Sequence, residues 1–192
     1  MRIISGEAGG RRLRAPRGDA TRPTADRVRQ ALFDVLGDAT GRDVLDLFAG
    51  TGALGLEALS RGARGAVFVE QAPGAVRTLR ANVAALGWDA RTRVLRLDAR
   101  RALRLLEREG ARFDWIFLDP PYASPLGAAV LGDLGSGALV SAGGLVVCEH
   151  DRRRPPADAC GALVLADRRR WGQTEVSFYA VGARGAASDH ER

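Results

Sequence analysis

Residues 43–59 read Asp43-Val44-Leu45-Asp46-Leu47-Phe48-Ala49-Gly50-Thr51-Gly52-Ala53-Leu54-Gly55-Leu56-Glu57-Ala58-Leu59. An apolar run of strand length, Val44 to Phe48, ends in Gly50-Thr51-Gly52, and a helix is expected from Ala53 to Leu59. Gly50, Gly52 and Gly55 fit G-x-G-x-x-G between that strand and that helix, where glycine permits a tight turn and close approach of backbone to a ligand. Glu70 follows Gly50 by 20 residues, at the end of the next apolar run, where an acid can grip two ribose hydroxyls. The pattern implies a nucleotide-like cofactor on an α/β fold. Alone it does not say which cofactor, and a ligand-free strand-to-helix turn would look similar.

The alternation extends outward from this unit. Downstream, strands are expected over residues 67–70, 94–98, 113–118 and 145–148, with helices over 73–86, 99–109 and 126–134 between them. Repeated strand-helix units argue for a mostly parallel sheet with helices on both faces. Upstream, residues 2–16 suit a small hairpin or irregular arm, and a helix should start at a Thr24 cap and end at Gly37. After Arg152-Arg153-Arg154-Pro155-Pro156 the rhythm breaks. Two further strands, 162–165 and 174–181, are expected as a hairpin at the sheet edge, joined by residues 168–172. The organisation expected is a basic N-terminal arm and helix over 1–40, the main domain over 41–181 and a disordered tail over 182–192.

The whole chain has 192 residues, 46% of them hydrophobic, which suits one globular domain with a short appendage. No apolar run approaches the ~18 residues of a bilayer span, and the N-terminus lacks the apolar core of a signal peptide, so a cytoplasmic protein with no membrane partner is expected. Cys148, Cys160, His150 and His190 lack zinc-ligand spacing, and no metal is expected. All 29 basic residues are arginine, with no lysine, so an arginine cluster is weaker evidence than usual. Residues 1–30 nevertheless hold eight arginines against three acids, while residues 31–150 hold 13 against 14. A basic end on a neutral domain is what a polyanion-binding appendage looks like, a plain solvated arm being the alternative.

Three further acids separate the possible cofactors. Asp46, inside the first strand, suits a cation better than a pyrophosphate, which favours S-adenosylmethionine with its positive sulfonium and amino groups and no phosphate. Asp98, ending the third strand, can accept a hydrogen bond from an adenine amino group. Helix N-capping is the other use for Asp98 and Glu70. Asp119-Pro120-Pro121-Tyr122, ending the fourth strand, is the sharpest signal. An amino group conjugated to a base ring is a poor nucleophile because its lone pair is delocalised. A carboxylate and a main-chain carbonyl accepting its two N–H bonds would favour the geometry from which that lone pair attacks a methyl group. The prolines hold the turn and the aromatic ring can stack on the base. In isolation an Asp-Pro turn ending a buried strand would account for it.

Together these motifs look like a class I S-adenosylmethionine-dependent methyltransferase acting on an amino nitrogen. Thr21-Arg22-Pro23-Thr24-Ala25-Asp26-Arg27-Val28-Arg29-Gln30-Ala31-Leu32-Phe33 and Trp171-Gly172-Gln173-Thr174 narrow the likeness, over about residues 1–181, to one family. The chain resembles the RsmD family, bacterial enzymes that methylate N2 of guanine-966 in 16S ribosomal RNA. The resemblance implies a Rossmann-like, seven-stranded, mostly parallel sheet with the last strand antiparallel, helices on both faces and a small basic N-terminal extension that helps hold RNA. It implies S-adenosylmethionine as cofactor, 16S rRNA in an assembled or assembling small ribosomal subunit as partner, and a monomer. Carried over by position, Asp46, Gly50 and Gly52 would line the methionine moiety with Phe48 in the same site, Glu70 the ribose, and Asp98 with Ala99 the adenine. Asp119 and the Pro120 carbonyl would hold the guanine amino group while Tyr122 packs on its ring. Arg11, Arg12, Arg14, Arg17, Arg22, Arg27 and Arg29 are then candidates for phosphate contacts. Arg170 with Trp171 could supply charge and a stacking ring, though Trp171 could equally pack the hairpin. Where family members often carry lysines, this chain has Arg14, Arg17 and Gln173; arginine preserves the charge and glutamine does not.

The nearest competing activity is DNA adenine-N6 methylation, which uses the same tetrapeptide but leaves no segment here to read a base sequence. A nicotinamide-dependent oxidoreductase would rest on the glycines alone, and a non-catalytic RNA-binding module on the arm alone.

Overall fold

The structure, a computed structural model, describes residues 1–15, 23–120, 125–172 and 174–182, with residues 23–25 described by backbone alone. Strands β1 (Asp43–Leu47), β2 (Gly65–Val69), β3 (Thr92–Leu95), β4 (Phe113–Leu118) and β5 (Val140–His150) pair in parallel in the order β3-β2-β1-β4-β5. The sheet continues through β8 (Thr174–Val181), antiparallel to β5, then β7 (Leu163–Trp171) and β6 (Ala159–Cys160). Helices α1 (Pro23–Leu36), α2 (Ala53–Ser60), α3 (Pro73–Leu86), α4 (Ala99–Arg108) and α5 (Leu126–Ser136) cover it.

The Rossmann-like architecture and the antiparallel last strand are as expected, and the sheet has eight strands, not seven. The extra one is the two-residue β6. β7 also corrects the reading of residues 168–172 as a connection. The arginine run lies inside the strand, with Arg168 opposite Ser177, Arg169 opposite Val176 and Arg170 opposite Glu175. A run of arginines has no strand-like composition; the ladder to β8 supplies the structure that local propensity does not. The two late strands do pair as an antiparallel hairpin at this end of the sheet, with only the two-residue β6 beyond them.

The central strands are covered on both faces, which is why they read as near-continuous apolar runs. Alternate residues feed two cores. Val44, Trp115 and Phe117 face one cluster with α1, α2 and α3 residues, while Leu45, Leu47, Ile116 and Leu118 face the other with α4 and α5 residues. On the first face Phe33 of α1 seats edge-on against Trp115 and tilted against Phe117, at centroid distances of 6.1 and 5.8 Å. Burying each such ring contributes on the order of 2–3 kcal/mol.

Residues 1–13 form a hairpin. Ile3 N–H donates to the Arg11 carbonyl at 2.9 Å, Gly10 N–H to Ile3 at 2.9 Å and Leu13 N–H to Met1 at 3.1 Å. It is docked, with Ile3, Ala8 and Leu13 in the first core. Glu57 of α2, with no exposed surface, accepts the Ile4 and Ser5 amides at 2.7 and 3.1 Å. Glu7 N–H donates to the Ser60 carbonyl at 2.8 Å. Gly6 sits at φ +83°, and a Cβ there would lie 1.8 Å from the Ser60 oxygen, so only glycine allows this approach. The tail expectation falls, from residue 183 on, outside the described residues.

Candidate active site

The glycine turn is built as the sequence pattern requires. Gly50 and Gly52 have φ of +55° and +87°, and Gly52 is the N-cap of α2. Gly55 serves packing instead: a Cβ there would lie 2.4 Å from the Phe68 ring of β2. Phe48 is in the left-handed region too, at φ +63°, a conformation that costs a non-glycine residue about 1 kcal/mol or more and is held by the surrounding turn.

Two acids lock this turn to the sheet. Asp46, 2% exposed, accepts the Gly55 amide at 2.9 Å. Its burial, reinforced by the nearby Glu70 charge and opposed by the Gly55 bond, pushes its pKa up to about 7. Glu70 accepts the Gly50 amide through Oε2 at 2.9 Å and the Ala72 amide, at the start of α3, through Oε1 at 2.7 Å. Each oxygen keeps a second lone pair for a ligand. Asp98 caps α4, accepting Arg101 N–H at 3.1 Å, so the capping use is real. Capping and ligand contact are compatible, because Asp98 also lines the cavity below.

That cavity, of about 300 Å³, opens at the C-terminal ends of the parallel strands, where open α/β sheets bind ligands. Of the expected site residues it brings together Phe48, Glu70, Asp98, Ala99, Asp119 and Pro120 on one wall system. Asp46, Gly50 and Gly52 are not on that wall; the turn they belong to is joined to it through the Gly50 amide, which donates to Glu70. Tyr122, with Pro121, lies outside the described residues. Asp119 is open to the cavity but enclosed on its other sides. That enclosure, with the Glu149 and Asp46 charges, holds its carboxyl well above the usual carboxylate range. Pro120 is pressed by the first turn of α5, where a Cβ on Gly127 would lie 2.8 Å from the proline ring. Asp46, Glu70, Asp98, Asp119 and Glu149 thus gather five acids at one sheet edge of a chain with net charge +6. Such a field favours a cationic ligand over a phosphate.

A family described as Conserved hypothetical protein 95 matches residues 1–180. The chain belongs to this family, the RsmD family. It is 39% identical over 180 residues to YlbH of Bacillus subtilis (strain 168), covering 93% of this chain and 98% of that one. It is 31% identical over 157 residues to ribosomal RNA small subunit methyltransferase D of Haemophilus influenzae, covering 81% of each. Among solved structures, a hypothetical protein of Thermus thermophilus matches with a TM-score of 0.80 at 39% identity, over 94% of this chain and 99% of that one.

In this RsmD-family chain the arginines divide by structure. Arg11 donates to the Ala85 carbonyl, and Arg12, Arg14 and Arg27 are exposed. Arg17 and Arg22 lie outside the described residues. Arg29 is a correction: it is 5% exposed, donates to Asp26 at 2.9 Å and to the Arg2 carbonyl, and lies 3.7 Å from Glu57. It ties α1 to α2 and the hairpin and presents nothing to a phosphate, because α1 turns it inward. Arg170 is exposed, and Trp171 is half-buried against the first core. Sequence reasoning missed Glu149, which the β4–β5 pairing of Leu118 with Cys148 brings level with Asp119. It also missed Gln71 and Leu126 on the cavity wall. An acid ending the fifth strand was a signal for Glu149. None existed for Leu126. Among the described residues, no three His, Cys, Asp or Glu side chains are grouped as a metal site requires, and no helix is long and apolar enough to cross a membrane.

Proposed function

We propose that this chain transfers a methyl group from S-adenosylmethionine to the exocyclic N2 of a guanine in small-subunit ribosomal RNA, within an assembled or assembling particle. The observation that carries the reading is Asp119-Pro120 facing an acid-rimmed cavity at the strand ends. The relative named small subunit methyltransferase D supports the substrate. The residues fit the cofactor: the buried Asp46 carboxyl, its pKa raised, and the Glu70, Asp98 and Asp119 carboxyls on the cavity wall form a site that a positive charge stabilises. When bound, S-adenosylmethionine supplies an electrophilic methyl group.

The chain's own groups do the rest. Asp119, ionised, accepts one N–H of the guanine amino group, and the Pro120 carbonyl accepts the other. Holding both N–H bonds out of the ring plane localises the nitrogen lone pair toward the cavity. No strong base is needed, since the amine proton becomes acidic once nitrogen has bonded to carbon, and it leaves along the Asp119 hydrogen bond. Phe48 and Leu126 help exclude water. Residues 1–40 serve as the RNA-holding extension of a methyltransferase domain over 41–181, acting as a cytoplasmic monomer.

The test is incubation with methyl-labelled S-adenosylmethionine and small subunits lacking the modification, followed by digestion and nucleoside mass spectrometry, with DNA as a parallel substrate. N2-methylguanosine at one site is expected. Asp119→Asn should lower transfer at least about 100-fold, as expected for losing a group that acts at the reacting centre, while S-adenosylhomocysteine binding changes little. Label in DNA adenine, or full transfer by Asp119→Asn, refutes the reading.

A further inference from the structure

In a lysine-free chain the number of arginines says little, but which of them lack an acid says more. Several surface arginines are matched, Arg64 with Asp43, Arg91 with Glu7, Arg93 with Glu109, Arg100 with Asp133, Arg168 with Asp158 and Arg169 with Asp167, whereas the exposed Arg27, Arg96 and Arg152 to Arg154 form no ion pair among the described residues. The guanidinium groups of Arg12, Arg14, Arg77 and Arg80 have neither an ion pair nor a hydrogen bond among the described residues, and all four side chains are exposed. Arg77 and Arg80 lie on α3, which carries no acidic residue in its 14 positions. Spaced i,i+3, they share one face and repel each other slightly, a cost that an external anion would reverse. Ala84 and Ala85 continue the exposed surface with small side chains that let a polymer backbone approach.

The hairpin is fixed to this helix. Asn82 of α3, 2% exposed, accepts the Arg14 amide at 2.7 Å and donates to the Arg14 carbonyl at 3.1 Å. It also donates to the Thr51 carbonyl in the glycine turn at 3.0 Å. Arg11 reaches across to the Ala85 carbonyl. The backbones of the two arginine-bearing elements are therefore fixed to one another, and the same joint is tied to the glycine turn. α3 begins two residues after the cavity-lining Gln71, and Arg77 is about one turn further along.

We propose that the exposed face of α3, through Arg77 and Arg80, forms with Arg12 and Arg14 a docking surface for the sugar–phosphate backbone of RNA leading into the cavity. The proposal rests on the RNA-methylating reading and adds α3 to it. Charges carried on an ordered backbone contact phosphates without a folding step and carry no base specificity, so they set register while the cavity selects the base.

The experiment uses the full chain and a fluorescently labelled transcript of small-subunit rRNA, titrated over a range of salt concentrations. Arg77→Ala/Arg80→Ala should weaken RNA binding several-fold and make the slope of log K against log salt shallower by about 2, one for each phosphate that is no longer neutralised. In the methyl-transfer assay KM should rise with kcat little changed, and S-adenosylhomocysteine affinity should stay the same. Arg64→Ala/Arg93→Ala removes the same charge from paired positions and should leave the slope unchanged. A wild-type slope and KM in the α3 variant, or equal slope changes in both variants, would overturn the surface. Tighter binding to phosphatidylglycerol vesicles than to RNA, abolished in the α3 variant, would overturn it in favour of a membrane. If the wild type methylates no RNA yet the slope still changes, the surface stands and the activity reading fails alone.

Discussion

Asn82→Ala isolates the joint between hairpin, helix and glycine turn. The amide makes three hydrogen bonds from a nearly inaccessible position, at 2.7, 3.1 and 3.0 Å. Each contributes about 1 kcal/mol net, and truncation leaves the Arg14 amide and two carbonyls to find water at a poorly accessible site. A destabilisation of about 2–4 kcal/mol is expected. For a chain of this size each kcal/mol shifts Tm by about 2–4 °C, so the melting temperature should fall by roughly 5–15 °C. Hydrogen exchange should accelerate at residues 11–15 and 50–52, while the hairpin's first strand stays protected by Glu57. Asn82→Asp gives a pH signature. It keeps the acceptor for the Arg14 amide but sets a carboxylate oxygen against two carbonyls, which raises the folded-state pKa. Stability is then retained below the unfolded value of about 4 and declines as pH rises through the folded one. The gap from wild type should narrow on acidification. A melting temperature within about 1 °C of wild type for Asn82→Ala, with unchanged exchange at residues 11–15, would refute the assignment of this joint to Asn82.

The Asp46 carboxyl has a folded-state pKa raised to about 7, so its contribution to stability is fully present below about pH 4 and declines as pH rises through 7. Ligand-free protein should therefore melt lower at about pH 8 than at about pH 5.5, and Asp46→Asn should flatten that dependence; parallel pH profiles would count against it. S-adenosylmethionine binding near pH 7 should release protons, read by calorimetry in buffers of different ionisation enthalpy, and S-adenosylhomocysteine, lacking the sulfonium charge, should release fewer. Gly6→Ala should cost about 3 kcal/mol or more in denaturant titrations, or undock the hairpin, because it combines a positive φ with a clash against the Ser60 carbonyl.

What the sequence by itself determined is what short-range geometry writes locally. Positive φ at Gly50 and Gly52 and the tight helix–strand contact at Gly55 demand glycine within six residues, and buried parallel strands demand apolar runs. Asp119-Pro120 is legible for the same reason, since a strand end and a rigid turn are both local. Only the tertiary structure decided which charged residues face inward. Arg29 lies among other arginines and looks like them, yet Glu57 and the Arg2 carbonyl, 28 and 27 residues away in the chain, draw it into the interior. Glu57 reads as an ordinary helix residue until amides 53 and 52 positions earlier reach it. Asn82 gathers partners 68 and 31 positions away, and the arginine run of β7 becomes a strand only because β8 lies beside it. Burying a polar group is favourable only when its partners are already in place, and those partners come from packing, which no local spacing encodes.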